Sequence, residues 1–284
     1  MKKIILILVV ILVGVWVVLS ALGSGGEYAA EKVFYHAMKI NEKILLNPEV
    51  VPPKMFTSVE SDLLKIMKKY PKGNMAKTAR ITLAEFYLNN KKYDKVLSTI
   101  DSMMTAYKDD PLVLSQAQFL KGLAYEKQNK WERALKEYMI LRDKYTDTPL
   151  GIEIPIYIGK RYIQKGDKAQ AEKAYNDAAV FYERIEKQYT QKPLGYVAAS
   201  LLTQTYMYLG KYEQAGAVVI NTINNYPGNQ TLMQQLPYVE LIYARLLKSP
   251  QRAIEVYKNI IEQSKDSKLK NFLKGRIKEL ETKK

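Results

Sequence analysis

Apolar residues in this chain recur three and four positions apart, in blocks separated by short polar turns. The clearest block runs from Ala117 to Pro149, AQFLKGLAYEKQNKWERALKEYMILRDKYTDTP. It reads as two helices meeting at a turn. Trp131, Ala134, Leu135, Tyr138 and Leu141 fall on one stripe of the second helix by the i, i+3, i+4 rule. Gly122 and Ala134 are small enough to let the two backbones approach, with aromatic rings filling the space beside them.

The same pattern returns along the chain. A first-helix tyrosine recurs as Tyr87, Tyr125, Tyr162 and Tyr206, at spacings of 38, 37 and 44. The small second-helix residue recurs as Ala134, Ala171, Ala215 and Ala253, with Val96 in the first copy. Each unit closes on an aromatic, Tyr70, Tyr107, Tyr145, Tyr189 and Tyr226. Pro71, Pro111, Pro149, Pro193 and Pro227 follow, each expected to stop a helix before the next pair begins. Repeats are expected at about 75–111, 112–149, 150–193, 194–228 and 229–264. In the third, the second helix is expected from about Asp167 to Tyr189, long by seven residues, close to two turns, so its apolar stripe keeps its face. In the fifth, Ala244 stands where the others carry tyrosine, and Ser249 and Pro250 predict the start of its second helix.

A helix pair over 27–74 precedes the repeats and is expected to cap the stack. Its first helix carries Ala30, Val33, Phe34, Ala37, Ile40, Ile44 and Leu45 on one side. After the repeats, residues 265–284 predict a basic capping helix that covers the core with Leu269, Phe272, Leu273, Ile277 and Leu280. Residues 1–26 differ in kind. Two lysines precede nineteen uncharged, almost wholly apolar residues from Ile4 to Leu22, then Gly23-Ser24-Gly25-Gly26 predicts a flexible linker. A helix of nineteen residues is roughly 28 Å long, close to the ~30 Å hydrocarbon core of a bilayer. A retained signal anchor is favoured over a cleaved leader, although Ala21-Leu22-Gly23 would pass as a cleavage site. Lys2 and Lys3 put the N-terminus in the cytoplasm and the repeats on the extracytoplasmic, periplasmic side of a single-pass inner-membrane protein.

Composition removes several chemistries. There is no cysteine for a disulfide, a thiolate or a lipoprotein anchor, and His36 is the single histidine. No phosphate-cradling glycine loop, paired metal histidines or nucleophile elbow is found, so neither catalysis nor a cofactor is expected. Fourteen of the 22 tyrosines fall on recurring positions, including Tyr93, Tyr138, Tyr175, Tyr212 and Tyr257 on second helices, and read as packing. The net charge of +15 is spread along the chain, with eight Lys/Arg against three Asp/Glu from Lys265 to Lys284. That charge suits an acidic partner, anionic lipid or a cell-wall polymer. Nucleic acid is the weakest option, because the aromatics follow packing rather than forming a stacking platform.

The repeating unit resembles the tetratricopeptide repeat, and its 37–38-residue spacing with closing tyrosine and proline is similar to bacterial cell-envelope repeat proteins. That resemblance implies an all-α, right-handed superhelical solenoid behind a transmembrane helix. It also implies a concave groove, lined by first helices, that accepts a peptide or partner helix. Counted from the recurring tyrosine, the implied groove positions are Thr82, Glu85 and Asn89, then Phe119, Leu123 and Lys127. Tyr157, Lys160 and Gln164 follow, then Gln204 and Tyr208, then Ile242 and Arg245. Glu85 and Leu123 stand where the family's carboxylate clamp needs Lys and Asn, which departs from chaperone-tail recognition. The expected activity is therefore scaffolding of membrane or envelope proteins. The alternatives are a basic tether for lipid or polymer and a chaperone-like accessory factor of protein export.

Overall fold

Every regular element among the described residues is a helix. The computed structural model describes residues 24–47, 51–71, 73–226 and 228–282. The chain begins with α1 (Ser24–Leu46), α2 (Pro53–Lys69), α3 (Asn74–Asn89), α4 (Tyr93–Ala106), α5 (Pro111–Lys127) and α6 (Trp131–Lys144). Then come α7 (Pro149–Gln164), α8 (Lys168–Gln188), α9 (Pro193–Tyr208), α10 (Tyr212–Asn225) and α11 (Asn229–Val239). A π-helical segment (Glu240–Leu246), α12 (Pro250–Gln263) and α13 (Ser267–Thr282) complete it. None of these is long and apolar enough to cross a membrane. The expected anchor, 4–22, lies outside the described residues.

The helices group into two units, one up to Leu141 and one from Arg142 onward. In the first, a single apolar core runs from Ala30 and Ala37 of α1, through Val59, Leu63 and Ile66 of α2, to Val113, Ala117 and Leu120 of α5. In the second, Ile152 and Ile156 of α7 pack with Phe181 and Tyr182 of α8 and Leu201 and Leu202 of α9. A further cluster joins α10 to α13 through Val219, Val239, Tyr257 and Leu273. These are stacked helical hairpins whose interiors are the stripes that the apolar spacing predicts.

Four of the hairpins close in the same way. In α3, the N–H of Lys92 donates to the carbonyl of Tyr87 (2.9 Å) and that of Lys91 to Leu88 (3.1 Å). Equivalent bonds run from Lys130 to Tyr125, Asp167 to Tyr162 and Lys211 to Tyr206, all at 2.9–3.0 Å. This doubled bond ends a helix when the next residue turns left-handed. Lys91, Asn129, Gly166 and Gly210 occupy that position, with φ of 58°, 59°, 78° and 69°. The recurring tyrosine therefore also supplies the carbonyl that closes its turn.

The fifth hairpin shows why Ala244 breaks the pattern. Its left-handed residue is Lys248 (φ 52°), and its closing bonds are one residue wider: Leu247 to Ile242 at 2.8 Å and Ser249 to Tyr243 at 2.7 Å. A π turn inserts one extra residue into a helix. Once that residue is counted, Tyr243 takes the recurring place, and it is buried with its ring against Gly216. Ala244 is not the counterpart.

Other expectations also shift. Pro111, Pro149 and Pro193 do not end helices but begin α5, α7 and α9, where a missing N–H costs nothing. The stretch read as a linker supplies residues of α1, which starts at Ser24. Leu45 is 54% exposed and Phe272 is 45% exposed, so neither covers the core. Tyr93 and Tyr212 open α4 and α10, as Trp131 opens α6, whereas Tyr138, Tyr175 and Tyr257 are buried within their helices. Ser249 precedes α12 at the cap position without a side-chain capping bond. The long second helix is as expected: α8 has 21 residues, against 14 in each of α4, α6, α10 and α12.

Candidate partner-binding faces

The closest approach of paired helices decides which side chains point outward. In the first unit, a Cβ placed on Gly122 would lie 2.3 Å from Cε1 of Tyr138, so the ring rests on bare backbone. In the second, Gly159 meets Cε1 of Tyr175 at 2.4 Å in the same way. With these faces turned inward, residues two before and two after each recurring tyrosine come out on one side of the first helix, since four residues are about one turn.

In the first unit these rows hold Glu85 and Asn89 of α3, with Leu123 and Lys127 of α5. Glu85, Asn89 and Lys127 are exposed and Thr82 and Leu123 half-buried. Although the Glu85 side chain is exposed, the neighbouring helices desolvate its carboxyl enough to raise its pKa. Asn89 lines an 830 Å³ cavity with Phe56, Glu60 and Lys95. There Lys95 Nζ lies 2.5 Å from Glu60 Oε1, and the Tyr87 hydroxyl donates to that oxygen at 2.6 Å. Burial works against the Glu60 charge, but the bonds from Lys95 and Tyr87 outweigh it and hold the carboxyl below its usual range. Phe119 is half-buried, with its ring centroid 5.9 Å from that of Tyr138. It belongs to the hairpin packing.

In the second unit the rows come together. Lys160 and Gln164 of α7 are one turn apart and exposed; Gln204 and Tyr208 of α9 are one turn apart, the first half-buried. The Tyr208 ring is 49% exposed and stacks flat on Tyr175, with centroids 4.9 Å apart and an 8° interplanar angle. Lys160 Nζ lies 5.6 Å from the Tyr208 centroid, within cation–π range. The Tyr175 hydroxyl is pushed up to about 12 by burial, with Tyr208 adding to it, so the base of the stack stays neutral. Gln164 accepts from the Arg161 guanidinium, and Tyr157 is half-buried one turn before Lys160. Tyr175 is the member that spacing misses: it falls on a packing stripe, and its ring passes through the hairpin to form the floor under Tyr208.

The implied Ile242 is fully buried and is no surface residue. With the π insertion counted, Leu241 and Arg245 stand two before and two after Tyr243. Both line a cavity of 490 Å³.

A scan against known protein families finds no match, and neither does a comparison with curated proteins. Among solved structures, the chain is similar to a tetratricopeptide repeat protein from Parabacteroides merdae, with 14% identity and a TM-score of 0.37. That match covers 89% of this chain and 99% of the other. The chain is built of helical repeats. Its hairpins share a recurring turn residue, and their first helices carry the exposed rows.

Proposed function

We propose that this protein is a binding scaffold whose first-helix faces hold an extended or helical segment of a protein partner. The observation that supports this most directly is the Lys160–Tyr208–Tyr175 stack. A half-exposed aromatic ring, immobilised from below and flanked by a cation, offers a rigid contact that loses little side-chain freedom on binding. Gln164 and Gln204 add hydrogen-bonding groups on the same helix faces. In this reading the apolar stretch 4–22 anchors the chain in the cytoplasmic membrane, and the repeats serve envelope or membrane proteins on the extracytoplasmic side. Its support is the run of nineteen uncharged residues behind two lysines.

A photo-crosslinking amino acid at position 204, followed by mass identification in cells, tests the proposal. The expected result is one dominant protein adduct that disappears when Lys160→Ala and Tyr208→Ala are combined. A smear of unfolded clients would move the protein to export assistance. No protein adduct from a folded chain would overturn the scaffold reading and leave its basic surface as a tether. A second reading, tethering of anionic lipid or polymer, is favoured by the charge of +15 and by exposed Lys268, Lys274 and Lys278 on α13. Binding of that kind weakens steeply with ionic strength, whereas a partly apolar contact weakens less.

A further inference from the structure

The cavity beside the π-helical segment has features that packing alone does not require. Its 490 Å³ volume falls in the range of about 300–1,000 Å³ typical of ligand sites. Met233 of α11 and Phe272 of α13 line it, although they are 47% and 45% exposed. Leu241 joins them as a third apolar wall. The π segment is an independent observation. A π turn is rare compared with continued α-helix and is frequently found at functional sites. Here it rotates Leu241 and Arg245 onto the cavity.

The charges in the cavity are unbalanced. Glu240 is paired twice with Arg276, Oε1 to Nε at 2.8 Å and Oε2 to Nη2 at 2.5 Å, and it accepts from the Tyr257 hydroxyl at 2.8 Å. Arg276 also holds Glu279. Of the three charged groups lining the cavity, Glu240 is thus committed to Arg276, whereas Arg245, exposed on the cavity wall, adds only a longer-range attraction to Glu240 and makes no ion pair among the described residues. An occupant that fits must offer an apolar side chain to Met233, Leu241 and Phe272 and a carboxylate to Arg245.

We infer that this cavity binds a short acidic-apolar peptide segment of a protein partner, one in which a Leu or Phe is flanked by Asp or Glu. The inference rests on the scaffold reading and gives that partner a chemistry. A Leu or Phe side chain enters between Met233 and Phe272, while the neighbouring carboxylate meets the Arg245 guanidinium in a two-bond fork. The Glu240–Arg276 pair forms a neutral floor that repels neither end. A basic peptide would bring a second cation against Arg245 and be rejected.

The test is fluorescence anisotropy on the full chain in mild detergent, with a labelled peptide Ser-Asp-Leu-Phe-Asp-Ser and a control carrying Lys for each Asp. Tight binding of the acidic peptide is expected, lost at least tenfold in Arg245→Glu, in Phe272→Ser and with the basic control. Both substituted side chains are exposed, and unchanged thermal melts would confirm that the variants fold. Tyr208→Ala should change the affinity less than twofold. Equal binding by Arg245→Glu, equal binding of the two peptides, or no binding up to about 1 mM would overturn the site. Loss in Tyr208→Ala without loss in Arg245→Glu would also overturn it, yet leave the scaffold reading standing on α7 and α9. Binding at Arg245 with no adduct from position 204 would do the reverse.

Discussion

At position 159 the hairpin of α7 and α8 closes onto bare backbone, and the aromatic ring of Tyr175 fills the gap. The same exchange of volume holds at Gly122 and Tyr138, while the equivalent positions of neighbouring hairpins carry Ala84 with Ile100 and Thr203 with Val219. In these four hairpins the large ring and the missing Cβ go together, whereas the fifth packs Tyr257 without a glycine opposite. Gly159→Ala should cost about 1–3 kcal/mol by overpacking, read as a lower denaturation midpoint. Adding Tyr175→Ile should recover most of that loss; if the double variant is no more stable than the single, the volumes are not coupled. Glu85 offers a prediction of opposite sign. Its pKa is raised in the folded state, so the folded chain binds protons more readily and stability falls as pH rises through the window above the unfolded carboxylate value of about 4.3. Glu85→Gln should stabilise the protein at pH 7 and leave it unchanged near pH 3, where both side chains are neutral. A gain that persists at pH 3 would trace to something other than the charge.

Among the elements, the turns inside the hairpins separate backbone strain from side-chain contact. A Cβ on Gly210 meets nothing within 4 Å, so Gly210→Ala isolates the cost of a left-handed residue, about 1 kcal/mol. Lys248 already bears that cost at φ 52°, and Lys248→Gly should return a few tenths to about 1 kcal/mol. Urea melts of the two variants should move in opposite directions; a stabilised Gly210→Ala would refute the turn assignment. These turns also show what can be read from residue order. Helix pairs, their stripes and the long α8 were legible because apolar spacing and the recurring tyrosine are local signals. The π insertion was not. A one-residue slip leaves a plausible stripe, and an alanine beside a tyrosine gives no sign of which one packs. The prolines are ambiguous for a related reason: Pro is compatible with both the stop of one helix and the first turn of the next, and only backbone direction separates them.

For the molecule as a whole, two hairpin units are each built around their own apolar residues, and the chain carries a net charge of +15. Candidate sites were legible as rows but not as constellations. Lys160 and Tyr208 are 48 positions apart, and nothing in their spacing announces a shared floor at Tyr175. Phe119 looked equivalent and is spent on packing against Tyr138. The length of α8 carries a consequence for how such an array can change. Each residue advances a helix by about 100°, so seven residues return within ~20° of the starting direction, whereas five would leave the stripe about 140° out of phase. A hairpin of this kind can therefore lengthen only in near-integral gear steps. Growth by other increments would turn Tyr182 and Ile185 toward solvent, and natural variation in the length of this helix should be quantised accordingly.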